Sequence, residues 1–349
     1  MIPTPFLHVD VERLDRNLRR TAQWTRDAGV DLRPLVKTHK SPEIAGRQLA
    51  LGAVGITVAT IGEAEVFVES GCDDVLVAYP LWLTTDAADR LRALTGRARL
   101  TIGVDSVESA ARADDLLSGS GIELLVEVDS GHHRSGTPPQ LAGRVAAAAG
   151  GLVVAGAFTF PGHSYSPEGR RSAAEQESAA LAAAAVSLRG AGIEPRVRSG
   201  GSTPSLVHSD LDTVTELRPG VYVFGDAQQW ELGAVDPEDI ALTCRATVVS
   251  HAGGRLVLDA GSKVLGADRA AYSSGFGRLL DHPDARVVLL SEHHAVVDLG
   301  EAPPPPLGSR VRVVPNHVCN AVNLVDTLWV SEDPEQLAAW PVAARGRNG

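Results

Sequence analysis

Apolar and polar positions follow two rhythms along the first two thirds of the chain. Short apolar runs rich in β-branched residues recur at LRPLVK (32–37), GITVAT (55–60), DVLVAY (74–79), LTIGVD (100–105), IELLVEVD (122–129), LVVAGAFTF (152–160), PRVRSG (195–200) and VTELRPG (214–220), eight in all. Between them lie stretches with helical spacing or composition: Ser41 to Leu51, Gly62 to Ser70, Asp86 to Leu94, Ser106 to Leu117, Pro139 to Ala149 and the alanine-rich Arg171 to Arg189. The first rhythm suits buried strands and the second suits helices. Strand then helix, eight times over roughly 200 residues, predicts an α/β fold, a parallel (β/α)8 barrel of TIM type, which typically takes about 250.

From about Pro237 the texture changes. ALTCRATVVSHAGGRLVLDAG, ARVVLLSEHHAVVDL and SRVRVVPNHVCNAVNLVDTLWV are β-rich and broken by Gly, Pro and Asp turns, with a helix only at Pro334 to Ala339. The expected division is a barrel over 1–236 and an antiparallel β domain over 237–349, with the first few N-terminal residues packing with the latter. PPPP (303–306) reads as a stiff surface connector.

Composition narrows the function. Of the 349 residues, 44% are apolar and 21% charged, the balance of a folded globular chain. The 32 basic and 43 acidic residues leave a net charge of -11, and no stretch gathers Lys and Arg as a nucleic-acid footprint would. Neither nucleic acid nor membrane is an expected partner: the long uncharged run Val145 to Gly162 is cut by Gly150-Gly151 and reads as a helix end followed by a buried strand. Cys72, Cys244 and Cys319 are too few and too scattered for a disulfide framework, and the N-terminus has no basic region ahead of an apolar stretch. A cytoplasmic location is the expectation.

Only three of the basic residues are lysines, Lys37, Lys40 and Lys263. In barrel enzymes the active site is built at the C-terminal ends of the strands. The unusual polar residues gather there: Lys37 ends the first expected strand and Thr60 the second, Arg134 follows the fifth, PGHSY (161–165) the sixth, SGGSTPS (199–205) the seventh and RPGVY (218–222) the eighth. A lysine in a barrel mouth is a desolvated amine suited to Schiff-base chemistry. A salt bridge to Glu63 or Glu65 is the alternative. Lys40 is expected to open the first helix facing solvent, and Lys263 to lie in a Gly-Ser turn. SGGST offers glycines and hydroxyls ahead of an expected helix start, a phosphate-binding arrangement, although Gly-Gly-Ser also makes ordinary turns. No GxxxxGK or early GxGxxG accompanies it, which points to a phosphorylated cofactor rather than a nucleotide.

His317 and Cys319 in PNHVCN are two apart on an expected strand, so both side chains leave one face. Imidazole and thiolate suit zinc, with His293, His294 or Cys72 as a possible third ligand. A buried cysteine beside a satisfied histidine is the alternative.

Together, TPFLHVDVERLDRN, RPLVKTHKSPEIA, ATIGEAE, VDSGHHRSG, GHSY, SGGSTPS, ELRPGVYVFGD and PNHVCNAVNLVD resemble the fold-type III pyridoxal-phosphate enzymes, in the D-serine dehydratase and D-threonine aldolase group related to alanine racemase. The resemblance covers essentially the whole chain. It implies that Lys37 forms the Schiff base with pyridoxal 5'-phosphate, that Arg134 approaches the cofactor's phenolic oxygen, and that Tyr165 lies near its pyridine nitrogen. Gly201, Ser202, Thr203, Gly220, Val221 and Tyr222 would surround the phosphate. One departure stands out: where relatives usually carry a histidine beneath the ring, this chain has Phe158-Thr159-Phe160. Phe160 can stack on the ring but cannot hydrogen-bond.

In that group His-x-Asp marks aldolase-like members and His-x-Cys the eukaryotic-type D-serine dehydratases. His317-Val318-Cys319 therefore favours a dehydratase using Zn2+, with D-threonine aldolase-type cleavage, served by Mn2+ or Mg2+, as the alternative. An amino acid racemase and a non-catalytic cofactor carrier are weaker alternatives. The resemblance also implies a homodimer and a small-molecule D-amino acid substrate.

Overall fold

The computed structural model describes residues 2–333 and 336–349. The chain forms two compact units that interleave in sequence: Met1–Arg20, Thr38–Glu43 and Val221–Gly346 make one, while Thr21–Lys37, Ile44–Gly220 and Arg347–Gly349 make the other.

Strand β1, Phe6–Asp10, belongs to the first unit. The second unit carries β2 (Asp31–Leu32), β3 (Ile56–Val58), β4 (Asp74–Pro80), β5 (Arg99–Val104), β6 (Glu123–Glu127), β7 (Val154–Phe158), β8 (Val197–Gly200) and β9 (Glu216–Leu217). Seven fall on the expected apolar runs to within one residue, while β2 meets its expected run, 32–37, only at Leu32. They pair in parallel in the order β2-β9-β8-β7-β6-β5-β4-β3, and a parallel bridge between Leu35 and Thr57 joins the two ends. Helices over Pro42–Ala50, Ile61–Glu69, Thr85–Leu94, Val107–Leu117, Ala142–Ala147 and Gly169–Gly190 separate the strands. The interior is packed: Leu76, Leu125, Ala155 and Phe158 form one cluster. Position 103 must be glycine, because a Cβ there would stand 2.8 Å from the Phe158 ring.

The first unit adds β10 (Leu242–Ser250), β11 (Leu256–Leu258), β12 (Gly277–Leu279), β13 (His282–Leu290), β14 (Ala295–Asp298), β15 (Arg310–Pro315), β16 (Thr327–Asp333) and β17 (Gln336–Pro341). β10 pairs with both β11 and β15, so β10-β11-β14-β13-β12-β15 closes on itself as an antiparallel barrel. β1 extends this sheet, antiparallel to β10 and parallel to β16.

The helix expected over Pro334 to Ala339 is corrected: Gln336–Pro341 is a strand, and Pro334 and Glu335 lie outside the described residues. The alanine-rich segment favours helix locally, but its ladder to β16, from Thr327↔Pro341 to Asp333↔Gln336, decides the outcome. Among the described residues no helix is long and apolar enough to cross a membrane.

Candidate active site

Lys37 does not end a strand. β2 stops at Leu32, Pro34 and Leu35 still touch neighbouring strands, and the chain then turns through a single 3-10 turn, Val36–Thr38, that holds the lysine. Lys37 is half-buried and has no side-chain hydrogen bond or ion pair among the described residues. The alternative partners are engaged elsewhere. Glu65 binds Arg90 at 2.6 Å, and Glu63 accepts from the Ala59 amide at 2.7 Å. Lys40 is corrected as well: it is buried in the left-handed region (φ 50°), and its Nζ donates to Asn323 Oδ1 at 2.9 Å. Lys263 pairs with Glu292 at 2.7 Å on the surface.

The loops after β6 and β7 bring three of the expected residues together. Asp129 shapes the first by accepting from the Gly131 and His133 amides at 2.8 and 3.1 Å. This turns Arg134 so that its guanidinium lies 5.3 Å from the centre of the Phe160 ring, a cation–π distance. Tyr165, at the end of the 3-10 turn Gly162–Ser164, lies 6.4 Å from the same ring. His132 stands edge-on to Phe160 at 5.7 Å, a neighbour that sequence reasoning missed although HHR displayed it. Burial, with help from Arg134, lowers the His132 pKa, which favours the neutral imidazole. Glu127, at the end of β6, is buried, takes a hydrogen bond from Ser135 at 2.9 Å, and is pushed up by burial.

After β8 the chain turns sharply at Gly201, with φ 87°. A Cβ there would meet Leu217 Cδ2 at 2.8 Å, so glycine is required twice over. Ser202 and Thr203 are buried beside it. Ser202 Oγ lies 2.8 Å from both Ser164 Oγ and Ser205 Oγ, a buried hydroxyl chain joining this turn to the one before Tyr165. The expected helix start is only a 3-10 turn, Leu206–His208, so helix-dipole support for an anion is absent here. The Gly201 amide itself is taken by Glu177 from the helix Gly169–Gly190. Gly220 follows β9, and Val221 and Tyr222 lie buried in the 3-10 turn Val221–Val223.

In the other unit, His317 and Cys319 are not on a strand. β15 ends at Pro315, and His317 caps the short helix Val318–Val322, which contains Cys319. The first helical turn still brings imidazole and thiol into hydrogen-bonding contact. Asp268 Oδ2 lies 2.5 Å from His317 Nδ1. Burial alone would lower the imidazole pKa, but Cys319 and Asp268 outweigh it and hold the group up to about 11. Asp226, buried and pushed up to about 6, accepts from the Val318 and Gln229 amides at 3.1 and 2.8 Å. Neither aspartate was singled out by the sequence. Cys319 Sγ lies 3.3 Å from Thr38 Oγ1, so the residue following Lys37 touches the cysteine of this pair.

The third-ligand candidates do not join. His293 and His294 sit on an exposed hairpin turn, and Cys72 is buried in the other unit with its thiol pushed up to about 11 by burial. Among the described residues no three His, Cys, Asp or Glu side chains form a metal cage. The donor set nevertheless fits an open metal position. With Asp268 on Nδ1, His317 keeps Nε2 as a ligand atom, and an imidazole with a thiolate is a zinc-type pair.

Known proteins resemble this chain over most of its length. Residues 9–228 match the family "Alanine racemase, N-terminal domain", and residues 241–331 match "Putative serine dehydratase domain". The chain is 37% identical to D-threo-3-hydroxyaspartate dehydratase of Delftia sp., over 91% of each chain. It is 33% identical to the D-threonine aldolase of an Arthrobacter species, over 99% of this chain and 93% of that one. The solved D-threonine aldolase of Filomicrobium marinum superposes with a TM-score of 0.88 at 31% identity, covering 99% of this chain and 96% of that one. The chain therefore belongs to the fold-type III pyridoxal-phosphate enzymes, in the branch that joins an alanine-racemase N-terminal domain to a serine-dehydratase-type domain.

Proposed function

We propose that this protein is a pyridoxal-phosphate- and zinc-dependent lyase that removes water from a D-3-hydroxy amino acid, with D-serine giving pyruvate and ammonia. The observation that carries the reading is the His317–Cys319 pair at one helix start, with Asp268 fixing the imidazole. A thiolate in place of a carboxylate favours zinc. The similarity to a dehydratase supports the reaction class; the similarity to an aldolase keeps carbon–carbon cleavage as the competing outcome.

In this reading Lys37 holds the cofactor aldehyde, Phe160 packs on the ring, Arg134 meets the phenolic oxygen and Tyr165 the pyridine nitrogen. Gly201, Ser202, Thr203, Gly220, Val221 and Tyr222 surround the phosphate, Gly201 through its turn rather than its amide. The bound cofactor supplies an electron sink for charge at Cα, and bound zinc supplies a Lewis acid for the departing hydroxyl. Once the substrate's amine has displaced it from the aldehyde, the Lys37 amine would take the Cα proton. Asp268 keeps the His317 proton on Nδ1, which directs Nε2 to the metal. Loss of the proton and the β-hydroxyl amounts to one water, and the enamine left behind hydrolyses to a keto acid and ammonia. We further propose a homodimer acting on small molecules in the cytoplasm.

The test supplies the purified protein with pyridoxal phosphate and zinc, then D-serine, D-threo-3-hydroxyaspartate and D-threonine in turn. Keto acid, ammonia, glycine and aldehyde are all measured. Equal keto acid and ammonia are expected; glycine with aldehyde as the main products would replace this reading by the aldolase one. Chelation or His317→Ala is expected to leave cofactor absorbance intact while keto acid formation collapses.

A further inference from the structure

The helix Gly169–Gly190 sends two adjacent side chains to two different active-site turns. Gln176 Oε1 lies 2.7 Å from His163 Nε2, on the 3-10 turn before Tyr165. Glu177 is 1% exposed, and its Oε1 accepts the Gly201 amide. The same carboxyl lies against Gly200, where a Cβ would stand 2.1 Å from Oε1. Its other oxygen, Oε2, is buried with no partner among the described residues. An incompletely satisfied buried carboxyl costs stability. Gly200 is needed to admit it, so two positions are committed to one contact that the reaction scheme does not use.

The geometry points to Glu177 as a positioning residue for the phosphate-binding turn. Its hydrogen bond draws the Gly201 amide away from the anion and fixes the direction in which the chain leaves the φ 87° turn into Ser202 and Thr203. Gln176 holds the partner turn, and the Ser164–Ser202–Ser205 hydroxyl chain ties the two together. Burial favours the protonated carboxyl, and Arg218 offsets part of the charge when it ionises, so a negative group behind a phosphate site is tolerated. This inference rests on the phosphate assignment made above.

The experiment titrates pyridoxal phosphate into cofactor-free protein by absorbance and records the bound cofactor's phosphorus-31 NMR signal. Glu177→Met, of similar volume but with no oxygen acceptor, is expected to weaken binding by about tenfold or more and to shift the phosphorus signal. Glu177→Gln retains an acceptor oxygen and should restore both. A folded Glu177→Met protein with unchanged affinity and signal would overturn the inference, as would a Glu177→Gln protein as impaired as the methionine variant. Should Glu177→Met not fold, amide exchange on the unaltered protein decides. The Gly201 amide should be protected before the cofactor is added and unchanged afterwards, while Ser202 and Thr203 slow. A Gly201 amide that becomes protected only with cofactor would show that it serves the anion instead. Failure of the unaltered protein to bind the cofactor at all would sink the phosphate assignment rather than this inference.

Discussion

At the N-terminal ends of the parallel strands, Arg33 lies between Asp74 and Glu216, each at 2.6 Å, Arg99 closes on Asp74 at 2.8 Å, and Arg196 binds Glu123. At the opposite ends Lys37 and Arg134 have no carboxylate ion pair among the described residues, while Glu127 and Glu177 each keep one buried oxygen without a partner there. The same eight strands therefore carry a closed electrostatic network at one end and open valences at the other. Paired charges at the closed end hold the barrel's shape; unpaired ones cost stability and are retained where chemistry needs them. Substitutions at the two ends should accordingly separate stability from activity.

The largest effect belongs to the open end. Lys37→Ala should lower turnover by about 10^3-fold or more with an unchanged circular dichroism spectrum. Borohydride reduction of the native holoenzyme should place the pyridoxyl group on Lys37, and a label on Lys40 or Lys263 would break the contrast drawn here. At the closed end, Arg33→Met leaves Glu216 buried without its cation and should cost about 3–5 kcal/mol in urea denaturation, with kcat preserved at temperatures where the variant is folded. Loss of kcat without loss of stability would show that the closed end serves catalysis too.

In the other unit, Asp268→Asn should weaken zinc binding by about 10–100-fold in a chelator competition, with the fold intact. The smallest effect is a pH slope. Burial raises Glu177 from 4.5 to about 7, so the folded protein binds the proton more tightly than the unfolded chain does. Stability should be greatest below pH 4.5 as far as this group is concerned, and its contribution should be lost as pH climbs from there through about 7. Glu177→Gln should flatten that part of the curve in denaturation midpoints measured between pH 5 and 8; an identical slope would mean that Glu177 does not titrate there.

Much of this was legible in the chain. The apolar runs locate seven of the eight strands of the parallel barrel and meet the other, β2, only at Leu32, and their endings locate Arg134, Phe160 and Tyr165, which converge in space. Local sequence failed where long-range contacts set the backbone. Lys37 and Lys40 are three apart, yet one is half-buried in a 3-10 turn and the other is buried with positive φ and bonded to Asn323, a partner no local pattern reveals. His317 and Cys319 approach one another as expected but for a different reason: an i, i+2 pair meets across a helix cap as well as along a strand. Glu177, Asp226 and Asp268 were invisible because buried carboxylates are recognised only by what surrounds them.

The pairing of β1 with β16 has a consequence for synthesis. His8 and Ser331, hydrogen-bonded at 2.9 Å, are 323 positions apart, so β1 waits for a partner strand made long after it. At about 5–20 residues per second this takes on the order of tens of seconds, during which the apolar stretch Phe6 to Val9, buried in the native protein, has no strand partner until β10 is made and keeps one edge bare until β16 follows. A fragment cut after residue 236 would make that wait permanent and leave a bare strand edge open to association with other chains. Expressing the barrel alone is therefore expected to yield aggregate, and a folding assistant that shields β1 during translation would raise the yield of the complete chain.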